Sequence, residues 1–324
     1  MPSANPARAT EHFVTLFDSN FLPAGLCLYR SLAQHVSPFC LWILCADRDV
    51  EKKLIHLDFE NVRLIPLRDV ENERLRGAKR NRSAIEYYWT LTPFTPQFVM
   101  AREPGIERVT YIDADLFFFD NPLSLFEEFE QSGADVLITE HAYAPEYDQT
   151  ATSGKYCVQF MTFRNTPGGR SVMHWWQERC IEWCYARLEG GKFGDQKYLD
   201  DWPERFAGKV HVLSQKDRAL GPWNSAWFQT QPGSRDPVFF HFHGFRIISQ
   251  NKMLWYRGYE VGARAHRYYG QYADAMRSAM SEIARRWGEY PILPEPRTLK
   301  RWIARLWYGI RGRLHYEPYR LPES

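Results

Sequence analysis

The sequence predicts an α/β fold, a mostly parallel mixed sheet with helices on both faces, followed by a helical C-terminal extension. Two features carry that prediction. In the first third of the chain, short apolar runs alternate with segments of helical periodicity, the pattern of parallel strands joined by crossover helices. Near the end, Tyr272, Met276, Met280, Ile283 and Trp287 recur at i+3 and i+4 spacings, so one face of a helix is apolar.

FVTLF (13–17) reads as the first buried strand, FLPAGLCLYRSLAQH as a helix and FCLWILCA as the second strand. A short helical stretch then leads to VRLIPL as the third. The basic stretch ENERLRGAKRNR precedes IEYYWTLTPFTPQFVM, a helix whose prolines mark a break or a start. VTYI is a central strand ending in carboxylates, and ADVLIT and YCVQFMTF are further strands. From Ser171 to Trp202 the pattern predicts a long helix, a stop at Gly190-Gly191 and a second helix. KVHVL and PVFFHFHGF read as strands, and everything beyond as helical. With no repeat, low-complexity tract or linker, one domain over 1–255 and an extension over 256–324 are expected.

The 324 residues suffice for a sizeable core, and 44% hydrophobic with 25% charged residues exclude disorder and fibrous architecture. A net charge of +2 gives no strong field for nucleic acid, so no nucleic-acid partner is expected. Six cysteines without a CxxC pair, and a start without an apolar signal segment, point to a reducing cytoplasm. Cys180 and Cys184, one helical turn apart, are read as packing residues. No apolar run reaches the length of about 18 residues that a membrane span needs. The 12 Trp and 18 Tyr suit core filling, and also stacking on bases and sugars.

The chemistry concentrates at Asp113-Ala114-Asp115. Residues i and i+2 of an extended segment point the same way, so two carboxylates converge at the C-terminal edge of a strand, where open α/β sheets bind ligands. Such hard oxygen ligands suit Mn²⁺ or Mg²⁺ bridging to phosphate. A second copy, Asp47-Arg48-Asp49, is read as loop carboxylates. His241 and His243 alternate in a strand-like run, so both could face one side, and an imidazole nitrogen suits Mn²⁺. Asp195 precedes KYLDDW, where it is placed to cap a helix, and Gln196 has no charge with which to act as a strong nucleophile.

These motifs, in order, resemble the GT-A glycosyltransferases. The chain is most similar to the retaining transferases of glycosyltransferase family 8, such as glycogenin and bacterial lipopolysaccharide galactosyltransferases, and to the bacterial nucleotide-diphospho-sugar transferase group. FVTLFDSNF resembles the family's uracil-binding start, with Asp18 and Asn20 as base-contacting residues and Phe21 as the stacking aromatic. YIDADLFFFDNP matches the metal motif, GDQKYL the Asp-Gln segment beside the donor sugar, PWN a segment near the sugar, and HFHG the segment bearing the metal-binding His. The resemblance implies a nucleotide-binding part at about 10–120 and a sugar and acceptor part at about 121–255. It implies catalytic roles for Asp195 and Gln196, and a metal held by Asp113, Asp115 and His241. Donor contacts are implied from Asp113, Ala114, Asp115, Gln159, Trp223, Asn224 and Gly244.

Three departures stand out. Arg246 takes the place of a phosphate-binding Lys, Cys157 and Gln159 stand where Asn and Gly are usual, and Thr90 replaces a donor-contacting Arg, leaving Arg80 or Arg82 as substitutes. The resemblance implies a nucleotide-sugar donor, a UDP-sugar being expected, and a cell-surface glycan or glycolipid precursor as acceptor, with retention of configuration. A sugar-nucleotide nucleotidyltransferase and an inactive nucleotide-sugar-binding module are the alternatives; FDSNFLPAG lacks the Gly-rich basic loop expected of the former. Residues 297–320 combine an apolar helical stripe of Trp302, Ile303, Leu306, Ile310 and Leu314 with Lys300, Arg301, Arg305, Arg311 and Arg313. That suits an interfacial helix on an anionic membrane, or equally a helix packed on the domain, and hence a cytoplasmic protein peripheral to the inner membrane.

Overall fold

The computed structural model describes residues 9–295 and 299–319, with the side chains of 299–303 outside that description. The strands, in chain order, are β1 (Glu11–Phe17), β2 (Phe39–Cys45), β3 (Val62–Pro66), β4 (Arg108–Ile112), β5 (Leu116–Phe118), β6 (Val136–Glu140) and β7 (Tyr156–Arg164). They continue with β8 (Val210–Val212), β9 (Ala219–Leu220), β10 (Phe239–His241), β11 (Arg246–Ser249), β12 (Lys252–Arg257) and β13 (Leu314–Pro318). Seven form the central sheet in the order β3-β2-β1-β4-β7-β6-β8, parallel except that β7 runs against both its neighbours.

Because this sheet is covered on both sides, its central strands are largely apolar, and alternation sorts residues between two cores. Phe13, Phe17, Leu41, Ile43 and Cys45 face one core, with helices Leu22–His35, Leu123–Ser132 and Gly262–Trp287. Val14, Leu16, Trp42 and Leu44 face the other, with helices Ala84–Leu91, Thr95–Arg102 and Pro167–Glu182. Gly25 lets the first helix close on β1, since a Cβ there would lie 2.4 Å from the Phe17 ring. The prolines of the expected 85–100 helix divide it: Pro93 opens a 3-10 turn and Pro96 opens the helix Thr95–Arg102.

Two expectations are corrected. The helix beginning at Pro167 ends at Glu182, well before Gly190-Gly191, and Gln196–Asp201 is a 3-10 turn. Here tertiary contact overrides the glycine signal: Trp183 turns out of the helix against Tyr185, with Arg187 and Lys192 over its ring. The tail is not helical throughout either. Helix Leu299–Ile310 stops, Gly312 turns the chain at φ +66°, and β13 pairs antiparallel with β12. Leu314 therefore belongs to a strand, and β12 runs across the residue 255 boundary. Glu295 ties this region together, pairing with Arg257 and Arg305 and accepting from Tyr316 Oη at 2.9 Å.

The second Asp-x-Asp copy has a structural duty. Asp47 caps helix Arg48–Leu57, Oδ1 accepting from Val50 N at 2.7 Å, while Oδ2 accepts from Ser19 N at 2.9 Å and Ser19 Oγ at 2.8 Å. Asp49 pairs with Lys53 at 2.7 Å. Asp47→Ala is expected to cost about 1–2 kcal/mol in denaturant unfolding, the usual loss for an N-cap, and to leave divalent-ion binding unchanged.

Candidate active site

β4 runs parallel to its neighbour β1, which in turn pairs in parallel with β2, so the chain after Ile112 emerges at the ligand-binding edge of the sheet. There it makes a tight turn, Leu116 N donating to Asp113 O at 3.2 Å. The carboxylates of Asp113 and Asp115 thus converge through a turn and not through strand alternation. β5 then pairs with β10 in a register that sets His241 opposite Leu116, and Phe242 N donates to Asp115 O at 3.0 Å. Across β4, Asp113 N donates to Gln159 O of β7 at 3.0 Å.

The result is a cluster of two carboxylates and one imidazole whose ligand atoms all lie within 4.8 Å of one another. His241 Nε2 stands 3.1 Å from Asp115 Oδ1 and 3.8 Å from Asp113 Oδ2. The two aspartates are about a fifth exposed, and His241 is buried. Tyr111 Oη donates to Asp113 Oδ1 at 2.8 Å, and Gln159 Oε1 lies 2.9 Å from His241 Nδ1. This donor set fits a divalent cation that accepts oxygen and imidazole nitrogen. The electrostatics agree with such an occupant. Burial alone would lower the His241 pKa, yet the charge and hydrogen bond of Asp115, together with Cys157 and Asp113, hold it well above its ordinary value. Burial raises Asp113 despite the opposing His241 charge, with Asp115 adding to the rise. The chain by itself balances its acids with an imidazolium.

Asp195 is buried, with Oδ2 lacking a partner, and no side-chain cap bond forms to the turn that follows. The helix-cap reading of Asp195 is thereby corrected. Burial and the nearby Asp113 charge push its carboxyl up to about 8. Trp176 Nε1 donates to its carbonyl at 2.8 Å, and neighbouring Gln196 Nε2 donates to Ser153 O at 2.7 Å.

Asp18, Asn20 and Phe21 follow β1 directly. Asp18 Oδ1 accepts from Asn20 N at 3.0 Å and Oδ2 from Tyr88 Oη at 3.3 Å, and Phe21 leaves 40% of its surface exposed. Arg80 pairs with Glu73 at 3.8 Å, and Arg82 donates through Nη2 to Ile181 O at 2.8 Å, at the end of the Pro167–Glu182 helix. Ala114 is buried at the corner of the metal-motif turn. Gly244 adopts φ +80° in a turn in which Phe245 N donates to Phe242 O at 2.9 Å, and Arg246 opens β11 on an exposed surface.

Gln159 and Asn224, the expected donor contacts on β7 and before helix Ser225–Gln229, are enclosed in the chain. They are 0% and 1% exposed, and their polar atoms are used inside the chain. Asn224 Nδ2 and Trp223 Nε1 both donate to His141 O, at 2.8 and 2.7 Å, and the Trp223 ring meets His241 edge-on at 5.4 Å. Trp223 is the wall of the imidazole pocket. Sequence reasoning missed Tyr111, whose bond to Asp113 is local to the YIDAD motif, and Thr139 and His141, whose partners lie far along the chain and leave no motif.

An open sheet with acidic ligands at the edge of its fourth strand defines the GT-A class, and solved structures agree. The galactosyltransferase LgtC in complex with donor and acceptor sugar analogs matches with a TM-score of 0.52 at 14% identity, covering 82% of this chain and 95% of that one, a likeness of fold. Residues 43–244 match the family model for nucleotide-diphospho-sugar transferases, and the chain belongs to that family of glycosyltransferases. Two proteins of Bacillus subtilis (strain 168), both described as uncharacterized, are similar along most of their length. YfnF is 32% identical over 259 residues, 75% of this chain and 84% of that one. YfnD is 30% identical over 292 residues, 85% of this chain and 91% of that one.

Asp195 gives a pH signature. Its folded pKa is raised above the unfolded value, so ionisation favours the unfolded chain as pH climbs from about 4 to about 8. In metal-free protein, Asp195→Asn is expected to raise unfolding free energy at pH 8 by at least about 1 kcal/mol more than at pH 4, measured by denaturant titration. An equal effect at both values contradicts the assignment.

Proposed function

We propose that this glycosyltransferase is metal-dependent and moves a sugar from a UDP-sugar to a glycan or glycolipid precursor with retention at the anomeric carbon. The observation that carries the metal reading is the convergence of Asp113, Asp115 and His241. Together these three would hold Mn²⁺ or Mg²⁺. When bound, the cation supplies charge compensation for the leaving diphosphate as a Lewis acid. Asp18 and Asn20 offer polar contacts to a base and the exposed Phe21 ring a stacking surface, at the sheet edge where the first parallel strands end. Buried N–H groups of Arg82 without a partner among the described residues, at Nε and Nη1, support a phosphate-facing role for that side chain, and Arg246 and Gly244 sit on the exposed turn beyond His241.

Asp195 and Gln196 would line the donor sugar. Burial first, and the Asp113 charge second, keep Asp195 protonated at neutral pH, so that its O–H would donate to a sugar hydroxyl. Gln196 already spends Nε2 on Ser153 O, which leaves its amide oxygen to offset positive charge at the anomeric centre. Resemblance to glycosyltransferase family 8 supports retention, by front-face attack in which the leaving phosphate would take the acceptor proton.

Helix Leu299–Ile310 leaves Leu306, Trp307 and Ile310 exposed, with the Arg311 guanidinium 4.0 Å from the Trp307 ring centre. An apolar patch rimmed by Trp and Arg suits an anionic membrane surface, where a lipid-linked acceptor would reside. Lys300, Arg301, Trp302 and Ile303 lie outside the described side chains, and no described helix is long and apolar enough to cross a membrane.

The test is incubation with UDP-, GDP- and dTDP-sugars, with and without Mn²⁺, followed by NMR of any product. Expected are Mn²⁺-dependent transfer or slow donor hydrolysis with UDP-sugar, loss of at least about 100-fold in rate for Asp115→Ala, and an anomeric coupling matching the donor. Inverted product would overturn retention, and rates indifferent to EDTA would overturn the metal reading.

A further inference from the structure

A metal-binding imidazole works only if the nitrogen that faces the ion carries a lone pair, and the tautomer is set by what the other nitrogen bonds. Nε2 of His241 faces Asp113 and Asp115, at 3.8 and 3.1 Å. Nδ1 faces Gln159 at 2.9 Å, in a place where Gln159 is fully buried. A glutamine amide can offer either its oxygen or its NH₂ group, so this contact alone leaves the tautomer open.

The neighbours decide it. Thr139 Oγ1 lies 3.4 Å from the Cys157 carbonyl, which only accepts, so the hydroxyl proton points there. The same oxygen is then left to accept from Gln159 Nε2, also 3.4 Å away. With its NH₂ turned toward Thr139, Gln159 presents Oε1 to the ring, and His241 Nδ1 keeps its proton whether or not Nε2 carries one. Nε2 is thereby reserved for the cation. The direction of three hydrogen bonds is fixed by one backbone carbonyl of β7.

We propose that Gln159 is a positioning residue that locks the His241 tautomer and ring orientation, with Thr139 behind it, so that Nε2 is presented to a divalent cation. This rests on the metal reading of the Asp113, Asp115 and His241 cluster. Orienting partners of this kind are worth about 10- to 100-fold in metal affinity.

The experiment is Mn²⁺ titration of the full chain, reading free Mn²⁺ by EPR, with melting temperature as the check on folding. Gln159→Leu, which keeps the volume and removes the acceptor, is expected to weaken Mn²⁺ binding by about 10-fold or more. Gln159→Glu, which keeps an acceptor for Nδ1–H, is expected to stay within about threefold of wild type, and Thr139→Val to lose about two- to fivefold. Gln159→Leu binding as wild type does, or Leu and Glu variants that fold and lose affinity equally, would overturn the inference. If Gln159→Leu does not fold, the Glu and Thr139→Val values decide by the same limits. Wild-type protein that takes up no Mn²⁺ defeats the metal reading itself, whereas wild-type binding with an unchanged Leu variant defeats only the role of Gln159.

Discussion

Two carboxylates and an imidazole brought within 4.8 Å set the terms for the rest of this site. Like charges about 4 Å apart repel by about 4 kcal/mol at an effective dielectric constant of 20, so Asp113 and Asp115 need a positive partner to share one turn. Within the chain that partner is His241, delivered by the short pairing of β5 with β10. The pairing is held from behind by packing: Phe242, the next residue, stacks on Tyr272 at 3.9 Å and 7° between the ring planes. Helix Gly262–Trp287 is therefore part of the support of the imidazole, although it lies far along the chain from either aspartate.

Much of the fold was legible because a two-sided parallel sheet leaves an unusual sequence signal, apolar runs such as FVTLF and FCLWILC with no polar alternation. The acidic edge was legible for a related reason, since carboxylates following a buried strand are costly to place without a purpose. Identical Asp-x-Asp copies were separable only partly by sequence. The structure separates them by partners: Asp47 spends its oxygens on backbone N–H groups and Ser19, and Asp113 and Asp115 turn theirs to His241, with Tyr111 donating to Asp113. What the sequence concealed depends on tertiary neighbours. Gln159 looks like a donor contact until β7 places it behind His241, and LHYEP looks like more helix until the open edge of β12 claims it. Gly190-Gly191 looks like a helix stop, but Trp183 leaves the helix first because its ring finds Tyr185 and two cations.

The departures from the family pattern acquire a physical sense in this arrangement. A residue larger than glycine at position 159 fits because its side chain runs behind the ring of His241, filling space that is fully buried. Cys157, where Asn is usual, lies against His241 and the Trp223 wall and is itself buried, so the pocket on that side is less polar than the family pattern implies. Both changes therefore lie behind the imidazole of the acidic edge and not on an exposed surface.

The most direct measurement of the central claim is pulsed EPR of Mn²⁺ bound to the protein in the presence of UDP. Coordination by His241 gives a nitrogen hyperfine coupling from an imidazole ring, and that coupling is expected in the wild-type protein and absent in His241→Ala. A bound Mn²⁺ surrounded by oxygen alone in the wild-type protein, or a nitrogen coupling that survives His241→Ala, would contradict it.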